Sequence, residues 1–232
     1  MYRVGTEKIV ALDNISLDIN VGEICCLLGT SGSGKSTLLN LLAGLEKPTK
    51  GEILIKNIHV EKLDEKQLIV FRQKYIGFVF QSYNLLTSLT ALENVALPLN
   101  FKGVHRKQRD IRAKKMLDNV GLKGYYKRKP NQMSGGQQQR VGIARAFIDN
   151  PEIVFADEPT GNLDSRTTQE VMRLMVSMAR ESKHTLIIVT HDTNIAKYAD
   201  KIVHIFDGNI EKIELNERSE CQENLENIST LK

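Results

Sequence analysis

Gly29-Thr30-Ser31-Gly32-Ser33-Gly34-Lys35-Ser36 sits between an unbroken apolar run, Ile24-Cys25-Cys26-Leu27-Leu28, and a stretch of helical spacing over 36–45. A glycine-rich turn that joins a strand buried on both faces to a helix calls for a parallel sheet with helices packed against it. In that context the pattern G-x-x-x-x-G-K-[ST] reads as a phosphate-binding loop. Glycines let the backbone bend so that successive N–H groups point inward, and the helix N-terminus adds its partial positive charge. Lys35 then reaches the β- and γ-phosphates, and Ser36 offers its hydroxyl to Mg2+.

Two further runs, Ile153-Val154-Phe155-Ala156 and Leu186-Ile187-Ile188-Val189, are equally apolar and predict more doubly buried strands. Helix-length stretches at 36–45, 106–120, 137–149 and 165–181 lie between them. Residues 84–150 hold no convincing strand and read as a mainly helical insertion after the strand Ile76-Gly77-Phe78-Val79-Phe80. Rough alternation over 9–19 and in Glu52-Ile53-Leu54-Ile55-Lys56 predicts half-exposed antiparallel strands, and Asp207-Gly208 between two apolar segments predicts a hairpin. The expected fold is α/β: a P-loop NTPase parallel-sheet core, an antiparallel β region and a helical insertion, in one domain over 1–232. Residues 216–232 are expected to form a peripheral tail.

The run 153–156 ends in Asp157-Glu158. Two buried carboxylates without a cation would be costly, so a metal site at the strand's carboxyl end accounts for them. Neighbouring strand residues point opposite ways, which predicts Asp157 toward the metal and Glu158 toward an attacking water. An ordinary strand-end turn into Pro159 is the other reading.

Met133-Ser134-Gly135-Gly136-Gln137 resembles the signature of the ATP-binding cassette family, with Met133 where leucine is usual, a volume-conserving change. A small-residue turn here opens a second helix, so the chain has two helix N-termini ready for phosphate. The resemblance implies that two cassettes pair head to tail, with the loop of one and the signature of the other closing on the same ATP. It implies that Gly29, Thr30, Ser31, Gly32, Ser33, Gly34, Lys35, Ser36 and Thr37 hold the phosphates. The resemblance also implies that Ser134, Gly135, Gly136, Gln137 and Asp164, the last within Asn162-Leu163-Asp164, reach across the dimer. Glu158, His191 and Gln81 are implied as catalytic, Ser36, Gln81 and Asp157 as the Mg2+ ligands, and Tyr2 as the adenine-stacking aromatic. Family members carry a longer stretch ahead of this tyrosine, so either the start is shortened or the sheet edge is incomplete. His59, His105, His184 and His204 read as surface histidines.

Tyr83-Asn84-Leu85-Leu86, Thr90-Ala91-Leu92-Glu93-Asn94-Val95 and Gln137-Gln138-Gln139-Arg140 are similar to the branch serving lipoprotein release, macrolide efflux, cell-division permeases and antimicrobial-peptide export. This implies an ATPase subunit working on a separate integral-membrane permease from the cytoplasmic face of the cell membrane. The segment Ser82-Tyr83-Asn84-Leu85-Leu86 is implied to line the permease groove, or else its side chains pack under the insertion.

Composition narrows the alternatives. With 41% apolar and 26% charged residues over 232, the chain is ordinary globular protein, and no apolar run approaches a bilayer-spanning length. The net charge of +4 is uneven: 102–129 holds eleven Lys or Arg against two Asp, giving +9, while 214–232 holds five Glu against two basic residues, giving −3. The basic stretch lacks the interleaved aromatics of a single-strand binder, so it reads as solvated helix faces, with no nucleic-acid partner. A DNA- or ribosome-acting superfamily member would show a coiled coil or a second cassette, and a small-molecule kinase would lack Ser134 to Gln137. Cys25, Cys26 and Cys221 form neither a disulfide framework nor a metal set.

Overall fold

A computed structural model describes the backbone of residues 2–4 and 7–216 and the side chains of residues 10–216. Strands β1 (Tyr2–Val4) and β2 (Glu7–Ile9) form a small antiparallel pair. The chain continues through β3 (Ile24–Leu28), α1 (Lys35–Leu42) and a second antiparallel pair, β4 (Leu54–Ile55) with β5 (Ile58–His59). Then come α2 (Glu65–Tyr75), β6 (Ile76–Phe80), α3 (Ala91–Phe101), α4 (Arg106–Asn119), α5 (Gly135–Phe147) and β7 (Ile153–Asp157). Last are α6 (Ser165–Glu181), β8 (Thr185–Thr190), α7 (Thr193–Ala196), β9 (Lys201–Phe206) and β10 (Asn209–Leu215).

The main sheet has the order β10-β9-β3-β8-β7-β6, parallel except for the β9–β10 hairpin. Alternate residues of its buried strands feed two cores. Ile24, Cys26, Leu28, Val154, Ala156, Leu186 and Ile188 meet α5 and α6 on one face; Cys25, Leu27, Phe155, Ile187 and Val189 meet α1 on the other. Helix α6 presents Val171, Met172, Met175, Val176 and Ala179 to the sheet, and burying each larger one contributes about 2 kcal/mol relative to leaving it in water. A third cluster joins α3, α4 and α5 through Val95, Leu99, Ala113, Leu117, Val141 and Ala144.

Residues 9–19 depart from the expected strand. Burial does alternate, with Ile15, Leu17 and Ile19 packed on the α1-side core, but only Ile9 belongs to a ladder. Near the end of this stretch two carbonyls accept from side chains, Asp18 O from Lys201 Nζ at 2.8 Å and Asn20 O from Thr185 Oγ1 at 3.5 Å. His184, expected at the surface, is 4% exposed and lies edge-on to Phe147, in the turn from α6 to β8 where its amide donates to Ala179 O at 2.8 Å. Burial pushes its pKa down. Helix α2 has no counterpart among the expected helices. Cys25 and Cys26 are buried free thiols, with Cys25 pushed up to about 12 by desolvation. Cys221 and the tail beyond Asn216 lie outside the described residues.

Candidate functional site

Strands β3, β8, β7 and β6 are neighbours in that order, so the segments after them emerge side by side at one sheet edge. They are the loop 29–34, His191, Asp157-Glu158 and Gln81. Tight packing fixes the loop: a Cβ on Gly29 would stand 2.2 Å from Ile205 O, and Gly34 has φ 101° with Ala11 O at 2.6 Å from the same imagined atom. Lys35 is buried and donates from Nζ to Gly29 O at 2.8 Å and Thr30 O at 2.7 Å. Desolvation lowers its pKa, while the nearby Glu158 and Asp157 carboxylates oppose that shift.

At the end of β7 burial pushes the Asp157 carboxyl up, reinforced by Glu158 and opposed by Lys35. Glu158 takes the left-handed backbone region at φ 43°, a conformation that costs a non-glycine residue on the order of 1 kcal/mol or more. Its amide donates to Val189 O at 2.9 Å, which draws the turn against β8. The carboxylate is then gripped twice, with Oε1 at 2.8 Å from His191 Nδ1 and Oε2 accepting the Thr190 hydroxyl at 3.1 Å. A carboxylate oxygen accepts, so Nδ1 is the donating ring nitrogen in this pair. Gln81 lies against the following turn: a Cβ on Gly161 would meet its Nε2 at 2.5 Å, and Asn162 Nδ2 donates to Gln81 O at 3.1 Å. A cavity of about 560 Å3 opens beside Glu158 and His191, lined also by Arg173, Asn194 and Lys197.

The second helix N-terminus is built separately. Ser134 caps α5, its Oγ accepting from Gln137 N at 3.3 Å while Gln137 Oε1 accepts from Ser134 N at 3.0 Å. Atoms nearest to Cβ positions built on Gly135 and Gly136 belong to Tyr83, Leu163 and Thr167, not to the loop 29–34. Thr167 in turn donates to Asp164, the cap of α6, whose carboxyl is held below its usual range by those bonds. Signature and Asp164 thus stand together, away from the phosphate loop.

Among the described residues buried Ser33 Oγ has no hydrogen-bond partner and Lys35 Nζ bonds only to carbonyls, so the cradle suits an anion. Among the described residues no group of three or more His, Cys, Asp or Glu could hold a metal. The donor set is one carboxylate with hydroxyl and amide oxygens, which fits a Mg2+ that shares phosphate oxygens and water.

Residues 12–161 match the family described as ABC transporter. The chain belongs to that family. It is 47% identical over 219 residues to the uncharacterized ABC transporter ATP-binding protein MJ0796 of Methanocaldococcus jannaschii, covering 92% of each chain. Macrolide export ATP-binding/permease protein MacB of Vibrio parahaemolyticus is 47% identical over 206 residues, 89% of this chain but 31% of that protein. A solved structure described as a dimeric post-hydrolysis state of the MJ0796 cassette bound to ADP and Pi superposes with a TM-score of 0.84 at 46% identity, covering 92% of this chain and 94% of that one. The chain is therefore an ABC ATPase cassette of nucleotide-binding type, in a branch whose members include macrolide exporters.

Of the residues read from the sequence, the cassette gathers Gly29 to Ser36, Gln81, Asp157, Glu158 and His191 at one sheet edge. It gathers Ser134 to Gln137 with Asp164 at another place. Tyr2 lies in β1, and its side chain is outside the described ones. Three contributors went unread. Thr190 grips Glu158; Gln139 donates from Nε2 to Pro159 O at 2.5 Å; Arg145 holds the loop after Gln81. Gln139 at 0% exposure on a helix was the one with a sequence signal, a polar residue at a position spaced to face the core.

Proposed function

We propose that this cassette dimerises head to tail with a second copy around two ATP molecules, and hydrolyses them to drive a separate integral-membrane permease. The observation that carries this reading is the separation of two phosphate-ready helix N-termini in one chain, one beside Asp157 and Glu158 and the other beside Asp164. Gly29 to Thr37 cradle the phosphates and Tyr2 stacks on adenine. Ser134, Gly135, Gly136, Gln137 and Asp164 of the second copy close the other side. Ser36, Gln81 and Asp157 hold Mg2+, which when bound neutralises charge on the transferring phosphoryl group.

Glu158 accepts a hydrogen bond from water, and that oxygen attacks the γ-phosphorus in line. The bond from phosphorus to the β,γ-bridging oxygen breaks with its electron pair leaving on ADP, while the water proton passes to the carboxylate. His191, oriented through Nδ1 by Glu158, presents Nε2 to the γ-phosphate. Closure and reopening of the dimer bias the permease, with 84–150 acting as the arm between nucleotide and membrane.

Docking is supported by a groove of about 360 Å3 between β6 and α3, lined by Phe78, Phe80, Leu97 and Phe101, the last 71% exposed. Leu86, 50% exposed, lies in the loop that leaves β6. Among the described residues no helix is long and apolar enough to cross a membrane, so work on a transported substrate passes through such a surface. The cassette then sits peripherally at the cytoplasmic face, serves export of a peptide, lipoprotein or drug-like compound, and has no nucleic-acid partner. The test is co-fractionation with membranes of its source cell together with ATPase of the purified chain. Leu86→Ser with Phe101→Ser should release the cassette while sparing its ATPase. A folded double variant that stays membrane-bound refutes this docking face, and a wild-type chain without Mg2+-dependent ATPase refutes the function.

A further inference from the structure

The loop that leaves Gln81 carries two consecutive non-glycine residues in the left-handed region, Tyr83 at φ 61° and Asn84 at φ 46°. Unsupported backbone does not hold such a pair, because each Cβ crowds its own carbonyl. Backbone bonds from Tyr83 N to Phe80 O at 3.2 Å and from Asn84 N to Ser82 O at 2.6 Å close the turn, and its carbonyls are held by one side chain sixty residues away. Arg145, in the last turns of α5, donates from Nη2 to Tyr83 O at 2.8 Å and from Nη1 to Asn84 O at 2.5 Å. Among the described residues no carboxylate lies within 4 Å of its guanidinium, so these carbonyls are its partners in a half-buried setting.

The same helix meets the loop again at its other end. The Tyr83 hydroxyl stands 2.8 Å from the Cβ position of Gly135, the first glycine of the signature, and Tyr83 O lies 3.7 Å from that of Gly142. Tyr83 is therefore laid along α5, its carbonyl held near the helix C-terminus and its hydroxyl seated at the signature. Arg145 also lines the β6–α3 groove.

We propose that Arg145 is a positioning residue that ties the permease-facing loop to the signature helix by holding Tyr83 and Asn84 left-handed. When ATP draws the signature of one copy onto the phosphates of the other, the loop moves with α5. By reciprocity, a permease that shifts the loop biases closure. A planar fork suits two adjacent carbonyls, and a lysine ammonium cannot reproduce it. This rests on the docking and dimer-closure reading given above.

The test is hydrogen exchange of residues 82–87 in the full chain carrying Glu158→Gln, with and without ATP and Mg2+, and with bound ATP counted in the same sample. In this parent, ATP should change exchange of the loop by about fivefold or more, the lower end of ordinary coupling between sites. Arg145→Gln should bind ATP as the parent does and lose the response. Adding Asn84→Gly should restore it, since glycine takes positive φ without support. If Arg145→Gln does not fold, Arg145→Lys replaces it, with the same expectation. A response that survives either substitution overturns the proposal; so does a lost response that glycine does not restore, which would mark Arg145 as a general brace. A parent that binds ATP without loop response sinks the clamp alone, whereas a parent that binds none sinks the function and the clamp together.

Discussion

Three charged side chains define what the site does to itself. Desolvation raises the Asp157 carboxyl and lowers the Lys35 ammonium, so at both the fold works against the charged form. For Asp157 the folded pKa lies above the unfolded one. The folded chain thus binds the proton more tightly, and stability falls as pH rises from the ordinary aspartate value through the raised one. Asp157→Asn should remove that pH dependence and stabilise the ligand-free cassette by about 1 kcal/mol, as relief at functional sites commonly does; urea unfolding at pH 4 to 7 reads both. Glu158→Gln keeps the shape that His191 and Thr190 grip but loses basicity. Hydrolysis should fall about a hundredfold or more while ATP is retained and a dimer appears on size exclusion. Such residues were legible in the sequence because spacing along the chain alone puts them at a strand end. Thr190 and Arg145 were not, since their partners lie 32 and about 60 residues away and only the folded sheet brings them together.

Elements were legible where periodicity and burial agree. Helix α6 starts and stops at Ser165–Glu181 as expected, since Asp164 caps its polar first turns and its apolar stripe runs from Val171 to Ala179. Residues 9–19 show the limit, because alternating burial specifies an extended path and not a ladder partner. Helix α2 was readable in retrospect from Asp64 and Gln67, which form a reciprocal capping box ahead of Leu68 and Phe71. Close packing between elements is invisible in sequence. At Gly77 of β6 a Cβ would stand 2.4 Å from the backbone oxygen of Ala146, so α5 rests directly on the strand. Gly77→Ala must push the signature helix outward and should cost about 1–3 kcal/mol in chemical denaturation. Gly142→Ala within α5, where a Cβ meets atoms only at 3.7 Å, should not destabilise and serves as the control.

For the whole molecule, the two helix N-termini predict complementation. A chain with Lys35→Ala keeps its signature, and one with Ser134→Arg keeps its phosphate loop, so each alone should be nearly inactive in a steady-state ATPase assay. Mixed, they form heterodimers with one intact and one doubly defective site, and activity should return; demonstrated heterodimers without recovery would exclude a shared site that fires singly. The order of strands adds a consequence in time. Strand β3 carries the phosphate loop, yet both its sheet neighbours, β8 and β9, come from residues 185–206. A ribosome adding residues at ordinary speed delivers those partners on the order of ten seconds after the loop itself. Throughout that interval the nascent cassette has no partner ladder for β3 and no Ile205 carbonyl against Gly29, so nucleotide cannot nucleate its folding and must await β8 and β9. Stalled chains released at residue 180 should therefore fail to bind ATP, whereas chains released at 216 should bind it.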